Sequence, residues 1–102
     1  MMIKVLMVCS GGMSSSFVVN TLKKEAAKEN IEIDIKAVGT GEFTDEIKED
    51  WDLVLVAPQI KHRFANFEAL AKEEDIPIEM ILPQSYSPLG GPKLLEQVKK
   101  YL

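Results

Sequence analysis

Short apolar runs alternate along the chain with longer stretches in which apolar residues recur every three or four positions. Ile3 to Val8 is apolar apart from Lys4 and predicts a strand. Met13, Phe17, Val18, Leu22 and Ala26 then recur at helical spacing, with Lys23, Lys24, Glu25 and Lys28 outside, and Asn30 is placed to end that helix. Ile31, Ile33, Ile35 and Ala37 alternate with Glu32, Asp34 and Lys36. Strict alternation leaves one face wet or partly covered, so this strand is expected at a sheet edge. Gly39-Thr40-Gly41 reads as a turn, and 44–50 as a short helix capped by Thr44 or Asp45.

Leu53 to Ala57 is apolar throughout, as a central strand covered on both faces would be, and Pro58 closes it. Ile60, Phe64, Phe67 and then Leu70 or Ala71 mark a second long helix, ending in Glu73-Glu74-Asp75. Pro77 pushes Ile76 toward extended geometry, and Ile78 to Leu82 predicts a fourth strand. A Pro, Ser and Gly-rich loop follows from Pro83 to Pro92, and a last helix carries Leu94, Leu95, Val98 and Leu102 inward. Neither a repeat nor a linker is visible. Strand and helix in alternation imply an α/β three-layer sandwich: a four-stranded parallel sheet with helices on both faces. Right-handed crossovers place the loops after the strands along one edge, and the alternating strand at a sheet edge gives the expected order 2-1-3-4. Ligands of such sheets bind at the carboxyl ends of the strands, where Cys9 lies.

The 102 residues suffice for one domain, expected to run from 1 to 102, and 46% apolar content supports a packed core. A net charge of −4 excludes a protein that clasps nucleic acid, whose phosphates are met by Lys and Arg. The acidic stretch from Glu42 to Asp52 reads as a solvated face. One cysteine forms no internal disulfide, which fits a reducing compartment. Met1-Met2-Ile3-Lys4 has no signal-peptide pattern, and no apolar run approaches the roughly 20 residues that span a bilayer. The expectation is a cytoplasmic protein with no direct membrane insertion, peripheral to the membrane through a partner.

The chemistry gathers in Cys9-Ser10-Gly11-Gly12-Met13-Ser14-Ser15-Ser16. Two glycines and small side chains let the backbone curl with its N–H groups inward, just ahead of a helix start. Such a curl seats a phosphate or sulfate, and the same donors favour a thiolate on a sulfur at its rim. A free cysteine ending an apolar strand is also a common core filler, but the Ser/Gly loop behind it favours a nucleophile. The loop is similar to the Cys-x5-Arg loop of low-molecular-weight tyrosine phosphatases, with Ser15 where that family has its Arg. No Asp-Pro pair follows to supply their general acid. Without these groups the loop holds a phosphocysteine yet serves attack by water poorly, which points to a phosphoryl carrier.

From Ile3 to the last helix, the chain resembles the IIB component of the phosphoenolpyruvate-dependent sugar phosphotransferase system, in the lactose/cellobiose (chitobiose/lichenan) branch. Leu6-Met7-Val8-Cys9-Ser10-Gly11-Gly12-Met13-Ser14-Ser15-Ser16 and Ala57-Pro58-Gln59-Ile60 carry the resemblance. The family usually has Ser-Ala-Gly-Met-Ser-Thr-Ser after the cysteine and Gly-Pro-Gln after the third strand, so Gly11, Ser15 and Ala57 depart mildly. The resemblance implies a relay. A phosphohistidine on a IIA partner donates to Cys9, and phospho-Cys9 donates to a sugar held by the membrane protein IIC, a β-linked disaccharide such as cellobiose, chitobiose or lactose. It implies Ser10, Gly11, Gly12, Met13, Ser14, Ser15 and Ser16 as the phosphate seat, and neither cofactor nor metal.

Gln59 and Tyr86 are accessory candidates at the same edge. Gln59 is equally a plain helix-start residue, and Tyr86 resembles a tyrosine found there in the family. His62 has no second ligand at metal spacing and reads as a surface residue; Lys61 and Arg63 beside it are placed to steer an anionic donor. Two other readings remain: a phosphatase or arsenate-reductase-like enzyme on the same scaffold, and a phosphorylation-controlled regulatory module.

Overall fold

The computed structural model describes residues 2–9, 14–86 and 90–102. Strand β1 (Met2–Cys9) leads to helix α1 (Ser14–Lys28), β2 (Glu32–Gly39), α2 (Thr40–Glu46), β3 (Leu53–Val56), α3 (Phe64–Glu73), β4 (Ile78–Met80) and α4 (Gly91–Lys99). Short 3-10 turns occupy Pro58–Arg63 and Pro83–Ser85. All three strand pairings are parallel and the order is β2-β1-β3-β4, as expected from the sequence, with the alternating strand β2 at one edge.

The pleat of β1 divides the core in two. Ile3, Val5 and Met7 face α1 and α4, packing with Leu22, Leu94 and Val98. Leu6 and Val8 face α2 and α3, packing with Phe43, Ile47 and Phe67. Val5, Leu6, Met7 and Val8 are fully buried, each worth about 1.5–3 kcal/mol of transfer from water. The rings of Phe43 and Phe67 meet edge to face at 4.9 Å, tying α2 to α3. The start of β3 is pinned to β1 reciprocally: Asp52 N–H donates to the Lys4 carbonyl and Lys4 N–H to the Asp52 carboxylate, both at 2.8 Å.

Several boundaries differ from the sequence-based expectation. The short helix starts at Thr40, not Thr44, because Gly39 ends β2 and serves as the N-cap, and the Glu42 carboxylate accepts from Gly39 N–H at 3.4 Å. Neither Thr44 nor Asp45 caps it. The helix expected from Ile60 breaks into a 3-10 turn and α3, since Ile60 leaves helical geometry (φ −118°, ψ 27°) to bury its side chain. β4 stops at Met80; Ile81 N–H still pairs with the Val56 carbonyl at 2.8 Å, while Leu82 is exposed. Gly91 and Pro92 belong to α4 and not to the loop before it. Phe17, expected inside, is 63% exposed, because the buried stripe of α1 is Val18, Leu22 and Ala26. Leu102, also expected inside, lies beyond α4 and is 51% exposed. Met13 lies outside the described residues.

Helices α1 and α3 close alike. Ile31 N–H returns to the Ala26 carbonyl and Ile76 N–H to Ala71, each at 2.9 Å, with Asn30 and Asp75 between them at φ 57°. At the opposite end of the chain, Gly91 lies hard against α1: a Cβ there would stand 2.4 Å from the Thr21 methyl. Edge strand β4 is fastened to α4 by Glu79, whose carboxylate accepts from Gln97 at 3.0 Å, Lys100 at 2.9 Å and the Tyr101 hydroxyl. At the amino ends of the strands, Met2, Ile3, Asn30, Asp52, Tyr101 and Leu102 help line a cavity of about 500 Å3.

Two predictions follow from these ends. The left-handed backbone costs a non-glycine residue about 1 kcal/mol, and Asp75 adds charge beside Glu73 and Glu74, so Asp75→Gly raises the urea-unfolding free energy by about 1 kcal/mol. The second concerns alkaline pH. The hydrogen bond to Glu79, with burial and the carboxylate's charge, raises Tyr101 to about 12 from 10. Its contribution is therefore complete below pH 10 and fades as pH climbs toward 12; in Tyr101→Phe that part of the alkaline loss disappears from urea titrations.

Candidate functional site

β1 and β3 end side by side at the carboxyl edge of the sheet. Ala57 N–H donates to the Val8 carbonyl at 2.9 Å, so Pro58 and Gln59 leave the sheet next to the strand that ends in Cys9. Cys9 stands opposite Gly39 of β2. The side-chain alternation of β1 lapses at this last residue. Cys9 joins the cluster of Leu6, Val8, Val38 and Val56, and not that of Val5 and Met7. It is 5% exposed, and its Sγ–H donates to the Val38 carbonyl at 3.4 Å. That carbonyl escaped sequence reasoning. Its signal was the pairing of β2 with β1, whose register no local pattern reveals.

Helix α1 starts at Ser14, so only residues 10–13 separate it from the strand bearing the sulfur. Its first turn holds no carboxylate, its last turn ends in Lys28, and its first N–H groups have no partner within the helix. A helix of 15 residues turns the positive end of its dipole toward this edge. Of the expected phosphate seat, Ser10, Gly11, Gly12 and Met13 lie outside the described residues. Ser14, Ser15 and Ser16 are the first three residues of α1, and Ser16 is exposed.

Gln59 and Tyr86, which the sequence placed at one edge, share a groove of about 350 Å3 with Pro58, Lys61 and Pro83. Gln59 is exposed in the 3-10 turn. Tyr86 is half-buried and packs against both core clusters, closing the sheet end between its two faces. The loop carrying it folds back tightly: a Cβ on Gly90 would lie 2.6 Å from the Gln84 and Ser85 carbonyl oxygens, so only glycine fits. Ser85 beside it is buried, its hydroxyl unpartnered among the described residues.

Lys61, His62 and Arg63 are exposed on the 3-10 turn, and the Arg63 guanidinium lies 5.5 Å from the Phe67 ring centre. Among the described residues no group of three His, Cys, Asp or Glu is placed to hold a metal ion. No helix among them is long and apolar enough to cross a membrane.

The family model described as PTS system, Lactose/Cellobiose specific IIB subunit, matches residues 4–97. The oligo-beta-mannoside-specific EIIB component of Bacillus subtilis (strain 168) is 35% identical over 97 residues, covering 92% of this chain and 90% of that protein. The lactose-specific EIICB component of Lactococcus lactis subsp. lactis is 37% identical over 65 residues, 64% of this chain but 11% of that much longer protein. Among solved structures, the cellobiose-specific IIB component of Borrelia burgdorferi superposes with a TM-score of 0.77 at 31% identity, covering 99% of this chain and 93% of its own. The lactose-specific IIB domain of Streptococcus pneumoniae has the same fold, with a TM-score of 0.86 over 99% of this chain and 98% of its own, at 21% identity.

Because the ring of Tyr86 meets both clusters, Tyr86→Ala lowers the unfolding free energy by about 2–3 kcal/mol, whereas Tyr86→Phe costs under about 1 kcal/mol. Denaturant titrations of the two variants separate the role of the ring from that of the hydroxyl.

Proposed function

Since this chain belongs to the lactose/cellobiose-specific IIB subunit family of the sugar phosphotransferase system, we propose that Cys9 is its phosphoryl carrier. The supporting observation is positional. The one cysteine of the chain ends a central strand at the carboxyl edge, separated by four residues from an α-helix that starts without an acidic first turn. Residues 10 to 16 form the anion seat in this reading, their backbone N–H groups meeting the phosphoryl oxygens.

The donor is a phosphohistidine on a IIA protein. Sulfur attacks phosphorus in line; the S–P bond forms as the P–N bond breaks, and the imidazole keeps the electron pair and takes the thiol proton. The second transfer runs the other way. A sugar hydroxyl oxygen forms the O–P bond, the S–P bond breaks with its electrons on sulfur, and the hydroxyl proton returns to it. The acceptor is a β-linked disaccharide or oligosaccharide held by a membrane IIC partner; the names of the relatives cover lactose, cellobiose and oligo-beta-mannoside. One group of relatives is named as EIICB, joining the two components in one protein. Such a partner brings this chain to the inner face of the membrane.

Hydrolysis of the intermediate is poorly served. Ser15 replaces the arginine of the phosphatase loop, and the single arginine of the chain, Arg63, lies over Phe67. Gln59 and Tyr86, sharing one groove beside the β1 end, are accessory contacts for the phosphoryl group or for a partner in this reading.

Incubation with phosphoenolpyruvate, the general phosphotransferase proteins and a IIA protein tests the proposal. The wild type is expected to gain one thiol-linked phosphoryl group, and Cys9→Ala and Cys9→Ser none. A labelled Cys9→Ala protein would refute it.

A further inference from the structure

The charge of this molecule is divided between its two ends. Two acidic runs, Glu46 to Asp52 and Glu73 to Asp75, lie where the chain enters β3 and β4, at the amino edge of the sheet. Glu49, Asp50, Glu74 and Asp75, with Lys48, line one cleft there. At the carboxyl edge the balance reverses. Lys61, His62 and Arg63 follow β3, Lys93 lies in the first turn of α4, the first turns of α1, α3 and α4 hold no carboxylate, and Glu42 in the first turn of α2 is engaged with Gly39 N–H. Four lysines elsewhere are neutralised: Lys28 pairs with Glu25, Lys36 with Glu46, Lys99 with Glu29 and Lys100 with Glu79. Among the described residues, Lys61 and Arg63 have no carboxylate partner, and both are exposed. Arg63 is held instead against the Phe67 ring, which fixes the cation without cancelling its charge. Helices α1 and α4 add their positive dipole ends to the same edge.

We propose that the Lys61–Arg63 turn is the electrostatic docking surface for an acidic rim around the phosphohistidine of the donor protein, orienting the carboxyl edge toward it. This rests on the carrier role of Cys9. In a chain of net charge −4 whose acidic runs lie at the amino edge, an anionic donor is favoured where it approaches the carboxyl edge, so the division of charge favours the productive encounter. Lys61 lies in the groove with Gln59 and Tyr86, which makes the basic turn continuous with the apolar surface a docked protein would cover. A bare anionic bilayer fits less well. Two unpaired cations gain only about 1 kcal/mol each near such a surface, against the excess negative charge of the remainder.

The test measures the second-order rate of Cys9 phosphorylation, using a histidine-phosphorylated IIA protein of the lactose/cellobiose class, across a range of salt. Lys61→Glu/Arg63→Glu is compared with Lys72→Glu/Lys48→Glu, the same charge change at the amino edge. Reversal at the carboxyl edge is expected to slow transfer at least about tenfold at low salt, with the difference vanishing at high salt. The amino-edge variant is expected to stay within about twofold of wild type, since its charges lie at the edge of the sheet that faces away from the contact. Equal slowing of both, or of neither while Cys9 still becomes phosphorylated, would overturn the docking surface and leave the carrier role intact. Absence of label on Cys9 in wild type would remove the carrier role itself. Phosphatidylglycerol vesicles form the second arm. Wild-type binding that is lost in Lys61→Glu/Arg63→Glu, with transfer unchanged, would assign this face to lipid and overturn the proposal.

Discussion

Strand β1 is the member on which the rest of the fold depends. It is the longer of the two central strands, with β2 following it from Met2 to Cys9 and β3 from Val5 to Val8. Its backbone polar groups are thereby satisfied while its side chains are sealed between helices on both faces. A one-residue slip would turn Val5 and Met7 toward α2 and α3 and break both cores at once, so the register is set by two cores and two neighbours together. Cys9 inherits that definition. Its position is held by a strand that has no alternative place to go.

The carboxyl edge uses this rigidity in a simple way. The groups gathered there include helix starts and exposed basic side chains, while the acidic runs before β3 and β4 lie at the far edge. A phosphoryl carrier has to hold a dianion long enough to meet a second partner and then release it. Backbone donors suit that demand, because they offset charge in the bound group without supplying a base that would activate water. The Cys9 sulfur at the margin of an apolar cluster continues the same logic.

Much of this was legible in the sequence, for identifiable reasons. Continuous apolar runs in β1 and β3 and strict alternation in β2 reflect how many faces each strand buries, and that alone orders three of the four strands. Asn30 was readable as a helix end because its side chain tolerates the left-handed turn. What escaped was set by tertiary contacts. Phe17 has the spacing of a core residue yet lies beside the buried stripe, since α1 offers only the face of Val18, Leu22 and Ala26 to the sheet. Gly39 looked like part of a turn and became an N-cap because Glu42 reaches back to it. At the site, the cysteine and its helix were visible as neighbours in the chain. The union of Gln59 with Tyr86 in one groove, and the Val38 carbonyl under the sulfur, join residues far apart in sequence and depend on strand pairing.

The cavity between Met2 and Leu102 has a consequence for how such a module can be joined to others. Both described ends of the chain reach the surface around one hollow, on the side of the sheet away from the sulfur. Polypeptide continuing from either end would depart from the amino edge, leaving the carboxyl edge that carries Cys9 unobstructed. A free-standing domain and a covalently tethered one can therefore offer an identical face at the carboxyl edge, which suits relatives that range from one aligned over 90% of its own length to one aligned over only 11%.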